Sequence, residues 1–231
     1  MNYKLVKRSF DLLSSSAALV ILSPVFAFIT AGIKFCSPGP VLYKSERVGL
    51  NGTPFTMLKF RSMHVKPKDA VESEYIVNNS RIFKFGSFLR KSKLDELPQL
   101  INILLSDMSV VGPRPYPRAV VDRLYNGEYR SILSVKPGLS CYDSLFDYTH
   151  GDLFVTDGEK YEKTIVPIRT ELAKMYVEGH NFITDIRIIL RTIRLIWEIV
   201  VVKKTQFTYS EIERKAVERV RNRMMTKSEC R

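Results

Sequence analysis

The sequence is poor in cysteine, and the few cysteines it has are scattered. Cys36, Cys141 and Cys230 are the only three in 231 residues. Their odd number and wide spacing fit neither a disulfide framework nor a zinc site, and favour thiols in a reducing compartment. The chain also lacks internal repeats and low-complexity tracts, which excludes a repeat array.

Acidic residues are outnumbered by basic ones. The chain has 36 Lys and Arg against 24 Asp and Glu, which leaves a formal net charge of +12. We therefore expect an anionic partner, which would be nucleic acid, a phosphorylated substrate or an acidic membrane surface. Nucleic acid is disfavoured, because the chain has no recognisable nucleic-acid-binding motif and begins with a long uncharged segment.

This segment, residues 12–33, contains 22 residues without a formal charge. Basic residues flank it on both sides, so the positive-inside rule draws both ends to the cytoplasmic face. Proline at Ser23-Pro24 would kink a helix in the middle, and Ser23 can satisfy a freed carbonyl. We predict a re-entrant membrane helix that bends there; an ordinary kinked span and a cleaved signal peptide are the alternatives.

The remaining pattern predicts an α+β fold that is mostly helical. Two short strands, at residues 41–48 and 55–62, form a small β-hairpin around a glycine-containing connection. The apolar spacing predicts helices at residues 83–91, 95–105 and 119–129.

The C-terminal part is basic and amphipathic. Residues 181–202 place arginines opposite an apolar face with a tryptophan, which fits either an interfacial membrane helix or a core-packed helix with a solvated face. Residues 203–231 carry a net charge of +5, nine basic against four acidic residues, and predict a solvated or membrane-skimming helix.

Residues 143–162 are acidic and rich in aromatics. Such a loop could stack a base, bind sugar hydroxyls or hold a cation. An ordinary solvated surface loop is the alternative.

The chemistry centres on two adjacent carboxylates, Asp95 and Glu96. Ser92-x-x-Asp95 has the form of a capping box, which predicts that Asp95 lies in the first turn of a helix. There the helix dipole and the neighbouring cations would keep it ionised, and an ionised carboxylate can attack phosphorus. Alternatively, both acids are only favourable first-turn residues.

Adjacent helical residues project about 100° apart, so Asp95 and Glu96 would have distinct roles. One would attack, and the other would hold Mg²⁺ or handle a proton. Arg114 lies between two prolines, which lowers the entropy lost when it grips a phosphate. Lys59 and Arg61 offer two further phosphate ligands. Alternatively, Arg114, or the pair of Lys59 and Arg61, is only surface charge.

In combination, these motifs resemble the bacterial sugar transferase family, the monotopic polyprenyl-phosphate phosphoglycosyl transferases. The resemblance covers roughly residues 4–140. The matching segments are Lys7-Arg8-Ser9-Phe10-Asp11, Ser23-Pro24, Gly39-Pro40-Val41-Leu42, Lys59-Phe60-Arg61-Ser62-Met63, Gly86-Ser87-Phe88-Leu89-Arg90-Lys91, Leu94-Asp95-Glu96-Leu97-Pro98-Gln99-Leu100, Asp107-Met108-Ser109, Val111-Gly112-Pro113-Arg114-Pro115 and Lys136-Pro137-Gly138.

The resemblance implies a covalent two-step reaction. Asp95 would attack the β-phosphate of a UDP-sugar and release UMP, and the phosphosugar would pass to polyprenyl (undecaprenyl) phosphate. Glu96 would assist with Mg²⁺ or the acceptor's proton, with Asp95 and Glu96 as the metal-binding residues. Arg90 and Arg114 would hold phosphates. Such an enzyme would catalyse the first membrane step of surface glycan assembly.

The resemblance also implies a location and a domain plan. We expect a re-entrant membrane helix at 1–36, a catalytic domain at 37–202 and a basic tail at 203–231. The protein would lie at the cytoplasmic face of the inner membrane, among its lipids, with a homodimer left open. The alternative is a non-catalytic adaptor that binds anionic lipid or a glycan-assembly partner.

One segment departs from the family pattern. After Lys136-Pro137-Gly138 the family usually continues with a Thr-Gly-Trp-Ala-Gln-Val-Asn-Gly-Arg-like segment, but this chain continues differently from Leu139 onward. Ser106 also replaces the usual glycine before Asp107. Because the departure lies away from Asp95 and Glu96, it affects the expected donor sugar more than the reaction type.

Overall fold

The computed structural model describes residues 3–65, 81–151 and 157–229, and most of them are helical. The α-helices are α1 Tyr3–Ile21, α2 Ser23–Cys36, α3 Lys84–Lys91, α4 Gln99–Leu104, α5 Arg118–Leu124, α6 Tyr142–His150, α7 Gly158–Lys160, α8 Val166–Gly179, α9 Phe182–Val200 and α10 Glu211–Glu229. The strands are β1 Leu42–Val48, β2 Pro54–Phe60, β3 Ser109–Val111 and β4 Gly138–Ser140. The α+β prediction is therefore confirmed.

The predicted hairpin is present. β1 pairs with β2 in antiparallel register, from Leu42 opposite Phe60 to Val48 opposite Pro54. Asn102 of α4 fastens this hairpin, because its side-chain oxygen accepts a hydrogen bond from the Leu58 backbone at 3.0 Å and its amide donates to the Thr56 carbonyl at 2.8 Å.

A second strand pair, which the sequence did not predict, is parallel and only three residues long on each side. Ser109 lies opposite Gly138, and Val111 lies opposite Ser140. The two backbone segments lie so close together after this pair that a Cβ on Gly138 would lie 2.1 Å from the Gly112 nitrogen. Position 138 therefore requires glycine. The pair matters because Arg114 follows β3 and α6 follows β4.

The N-terminal segment forms two helices bent by 60° at Leu22. Among the described residues no single helix is long and apolar enough to cross a membrane, but this bent pair passes that test by length and composition. Pro24 stands in the first turn of α2 and cannot donate to the Val20 carbonyl. The Ser23 hydroxyl donates to that carbonyl instead, at 2.8 Å, as the sequence predicted.

The start of α1 is docked on the rest of the protein by buried polar contacts. Asp11 is 2% exposed and accepts hydrogen bonds from the Ser109 hydroxyl at 3.1 Å and the Val110 backbone at 2.9 Å. Arg8 donates to the carbonyls of Ile103 and Leu104 at the end of α4. The bent pair is thus attached to the elements that carry the site.

Two helix predictions need correction. Residues 95–105 do not form one helix: Leu94–Glu96 is a 3₁₀ turn, and α4 begins only at Gln99. Pro98 separates the two, because it has no N–H to donate to the Leu94 carbonyl. The predicted helix at 119–129 is shorter, since α5 ends at Leu124 and a 3₁₀ helix covers Gly127–Ser134.

The acidic segment 143–162 is not the predicted loop at its start. Residues 142–150 form α6, and Asp143 and Asp147 are buried. Both acids have partners, because Asp143 accepts from the Arg114 backbone and Asp147 pairs with Arg169 of α8 at 3.2 Å. Residues 152–156, like residues 66–80, lie outside the described residues.

The two C-terminal helices pack differently. α10 docks on α8 rather than lying free in solvent, with the fully buried Glu171 accepting hydrogen bonds from Arg219 and Arg223. α9 buries Ile188 and Leu195 but exposes several large apolar side chains on its other side. These are Phe182, Ile183, Leu190, Ile193 and Trp197.

We predict that Asp11→Ala lowers the free energy of unfolding by about 1–3 kcal/mol, because it leaves two buried donors without their acceptor. Ser9→Ala, an exposed position on the same helix, is the matched control and should leave stability unchanged. Thermal unfolding of the purified proteins would measure both. Equal melting temperatures for the two variants would contradict the docking role of Asp11.

Candidate active site

Asp95 and Glu96 lie in the 3₁₀ turn between α3 and α4, and each is 6% exposed. Lys93 precedes the turn with a left-handed backbone, φ 59°, which redirects the chain after α3. Ser92 does not form the predicted cap, because its hydroxyl donates to Phe88 and Leu89 carbonyls at the end of α3. The prediction that Asp95 lies in the first turn of an α-helix is therefore wrong.

Glu96 is bound by two cations that arrive from distant parts of the chain. One of its oxygens, Oε1, lies 2.8 Å from the Lys59 ammonium and 3.0 Å from the Arg114 guanidinium. Lys59 is on β2, and Arg114 follows β3. The contact brings together three of the residues that the sequence singled out.

The ion pairs determine the charge of Glu96. Burial alone would raise its pKa, but the charges of Arg114 and Lys59 outweigh burial and hold the pKa of Glu96 well below its usual range. Burial lowers the pKa of Lys59, although Glu96 opposes that effect. Glu96 is thus a permanently ionised anchor for the two cations and is unsuited to donate a proton.

Asp95 behaves in the opposite way. Burial raises its pKa, the charge of Glu96 adds to the rise, and the charges of Lys59, Lys93 and Arg90 only partly oppose it. Its Oδ1 atom is buried without a hydrogen-bond partner among the described residues. The pKa of Asp95 is therefore raised, and no α-helix begins at this residue to supply the predicted dipole. Asp95 is a buried carboxylate with an unsatisfied oxygen.

The backbone of Arg114 is fixed as well as its guanidinium, which pairs with Glu96. Its backbone N–H donates to Asp143 Oδ2 at 3.1 Å, and prolines stand on both sides of it. The nearby guanidinium of Arg169 lies against Asp147 and the Tyr161 hydroxyl. A quarter of the Arg114 side chain remains exposed, so it can also reach a ligand.

The other two predicted phosphate ligands differ in position. Arg90 lies in the last turn of α3, and its charge acts on Asp95. Arg61 has a different role from the cations around Asp95 and Glu96. It is 4% exposed, and its guanidinium donates to the carbonyls of Ser37 and Pro38 at 2.6 and 2.8 Å. Arg61 braces the turn after α2, because these carbonyls have no partner within the helix.

Sequence reasoning missed Tyr148 as a neighbour of the turn that carries Asp95 and Glu96. The Lys93 ammonium lies 4.7 Å from the centre of its ring, and its hydroxyl donates to the Lys91 carbonyl. Burial, together with the charges of Asp95 and Glu96, raises the pKa of Tyr148 to about 12. The sequence did contain a signal for Tyr148, because this residue lies in the segment that departs from the family pattern.

The carboxylate pair fits a hard divalent cation. Mg²⁺ takes oxygen ligands and is usually held by one or two carboxylates together with substrate phosphates and water. Asp95 offers an unsatisfied buried oxygen, as such a ligand would. Among the described residues no group of three or more His, Cys, Asp or Glu side chains could hold a metal by itself.

Comparison with known proteins gives consistent results. The family model described as bacterial sugar transferase matches residues 2–198. The UDP-glucose:undecaprenyl-phosphate glucose-1-phosphate transferase of Escherichia coli (strain K12) is 36% identical over 82% of this chain and 40% of that protein. The exopolysaccharide production protein PSS of Rhizobium leguminosarum bv. phaseoli is 36% identical over 81% of this chain and 93% of that protein.

Relatives differ in the sugar that their names specify. A UDP-N-acetylgalactosamine-undecaprenyl-phosphate N-acetylgalactosaminephosphotransferase of Aeromonas hydrophila is 33% identical over 84% of this chain and 44% of that protein. The chain therefore spans only about two fifths of the length of the two relatives named for a specific sugar.

We predict that Asp95→Asn raises the melting temperature at neutral pH. A folded pKa above the ordinary 3.8 means that ionisation of Asp95 costs stability as pH rises through the interval between the two values. The neutral amide avoids this cost. The gain should disappear below about pH 3.8, where Asp95 is protonated in both states; thermal unfolding across pH measures it.

Glu96→Gln should have the opposite effect at the neighbouring position. The lowered pKa of Glu96 contributes stability above its ordinary value of 4.5, and this is lost as pH falls through the folded value. At neutral pH the variant should lose roughly 3–5 kcal/mol, because two buried cations lose their counter-charge. Stability changes of the same sign in both variants would refute the division between the two carboxylates.

Proposed function

The chain belongs to the bacterial sugar transferase family, and on that premise we propose that it transfers a phosphosugar from a UDP-sugar to undecaprenyl phosphate and releases UMP. The main support is the contrast within one turn, where Asp95 has an unsatisfied buried oxygen and Glu96 is held ionised by two cations. That contrast gives each carboxylate a separate task.

In the first step, the Asp95 carboxylate attacks the β-phosphorus of the UDP-sugar. A bond forms between the aspartate oxygen and phosphorus, and the bond from that phosphorus to the oxygen bridging the two phosphates breaks. UMP leaves with the electron pair, and the sugar phosphate remains on Asp95 as an acyl phosphate.

In the second step, a phosphate oxygen of undecaprenyl phosphate attacks the same phosphorus. The bond to Asp95 breaks, the carboxylate is regenerated, and the product is a polyprenyl diphosphate sugar. Splitting the transfer in this way lets one nucleophile serve two large substrates in turn.

The basic residues around the pair support phosphate binding. Arg114 keeps part of its side chain exposed while Glu96 and Asp143 orient it, so little freedom is lost on binding. Lys93 and Arg90 lower the pKa of Asp95 from either side of the turn and favour its ionised form. Mg²⁺, held by Asp95 and Glu96, would neutralise phosphate charge in the same place.

The apolar surface supports a place at the cytoplasmic face of the inner membrane. Large apolar side chains are exposed on three elements that a soluble protein would have to cover. They are Leu13, Val20 and Ile21 of α1, Phe28 and Phe35 of α2, and Leu190, Ile193 and Trp197 of α9. We propose that α1 and α2 enter the bilayer as a re-entrant pair and that α9 lies in the interface.

The pathway follows from the reaction type. Attachment of a phosphosugar to a membrane polyprenyl phosphate commits the sugar to lipid-linked assembly, so we propose the first membrane step of a surface glycan pathway. One relative is named for exopolysaccharide production. The donor sugar stays open, because relatives of similar identity are named for different sugars.

The test is UMP release from a panel of UDP-sugars, with and without Mg²⁺ and undecaprenyl phosphate. The protein should release UMP with at least one donor, and Asp95→Asn should abolish release. Without acceptor, intact-protein mass spectrometry after rapid quenching should detect one phosphosugar on Asp95. Asp122→Asn, which removes an exposed carboxylate on α5, is the matched control and should retain activity.

Full turnover by Asp95→Asn, or an adduct on another side chain of an active preparation, would refute the covalent step. Membrane association with no UMP release from any donor would favour the adaptor hypothesis.

A further inference from the structure

A cavity of about 320 Å³ lies beside the catalytic turn. Four parts of the chain line it: the turn itself, the β3–β4 pair, α6 and α9. Its lining is mainly apolar, and the side chains that dominate it are Leu94, Leu97, Leu139, Ile189, Ile193 and Ile196.

Charged as well as apolar side chains line the cavity. Glu96, Arg114 and Lys93 line one part of it, so it reaches the groups that carry the reaction. Ile193 of α9 also lines the cavity and is 61% exposed. The apolar lining therefore reaches the exposed surface of α9 at Ile193.

The lining does not suit a sugar nucleotide. A UDP-sugar carries many hydroxyl and carbonyl groups, and burying them without partners is costly. The hydroxyls of Ser140 and Thr192 bond to each other at 2.6 Å, and that of Tyr148 donates to Lys91. Of the cavity's hydroxyls, only Ser144 is buried without a partner among the described residues.

A branched hydrocarbon chain that ends in a phosphate suits the same space. Apolar surface alone stabilises such a chain, by about 25 cal/mol for each Å² removed from water. Its phosphate needs cations at one end only, and Arg114 and Lys93 are there.

We propose that this cavity binds the isoprenoid units next to the phosphate of the lipid acceptor, with the phosphate at Arg114 and Lys93 and the remaining chain leaving past Ile193. The inference rests on the proposed function, since it assigns one of the two substrates to a separate part of the site. α9 then has two roles, as an interfacial helix and as the wall along which the acceptor enters.

Neighbouring residues of α9 provide a matched pair of variants. Ile189 lines the cavity, whereas Leu190 is 61% exposed and does not. Ile189→Trp places a large ring in the cavity, and Leu190→Trp adds the same ring to the exposed face. Both variants replace a branched aliphatic side chain by tryptophan, so a general effect of an added tryptophan would appear in both.

The two half-reactions are measured separately. UMP release without acceptor reports the donor step, and consumption of the enzyme-bound phosphosugar by undecaprenyl phosphate reports the acceptor step. Ile189→Trp should slow the acceptor step at least roughly tenfold more than the donor step, because the cavity can no longer bury the isoprenoid. Leu190→Trp should leave the ratio of the two steps unchanged.

An equal loss of both steps in Ile189→Trp would overturn the assignment while leaving the proposed function intact. No UMP release by the unaltered protein would count against the proposed function instead.

A binding measurement tests the cavity without turnover. A polyprenyl phosphate with a photoreactive group on its phosphate-proximal isoprene unit should label α9 peptides that contain residues 189–196, and excess undecaprenyl phosphate should suppress the labelling. Labelling should fall in Ile189→Trp and persist in Leu190→Trp. Labelling confined to segments that do not line the cavity would overturn the proposal.

Discussion

Two cations from distant parts of the chain meet on one oxygen of Glu96, and the geometry of the site depends on this contact. Lys59 arrives from the hairpin and Arg114 from the end of β3. Without the carboxylate between them these buried cations would repel each other, as the lowering of the Lys59 pKa by Arg114 indicates. Because Asp95 is the preceding residue, the same contact also positions the backbone of Asp95.

The two adjacent carboxylates affect the stability of the fold in opposite directions. Glu96 stabilises the fold because its ionised form is paired, and it can do little proton chemistry for the same reason. Asp95 is buried without a hydrogen-bond partner for one oxygen, so its ionised form is costly until a cation or phosphorus meets it. A carboxylate that weakens the fold is thus tolerated beside one that strengthens it.

The apolar and catalytic parts of the protein are one packed unit. Asp11 ties α1 to β3, and Arg8 ties it to α4, the helix that follows the catalytic turn. α9 buries one apolar side in the core and exposes another around Trp197. The exposed apolar surface of α9 therefore lies on the same packed unit as the turn that carries Asp95 and Glu96.

Local sequence signals determined the hairpin, α3 and the bend at Ser23-Pro24, because turn residues, apolar spacing and a missing proline N–H act within a few residues. The carboxylate pair and Arg114 were also identified from local motifs. Only the tertiary structure decided that Arg61 braces a turn and that the pKa of Asp95 rises. It alone decided that α6 is buried, through Asp147 and Arg169. Burial and charge partners depend on contacts between residues far apart in the chain, which no local pattern contains.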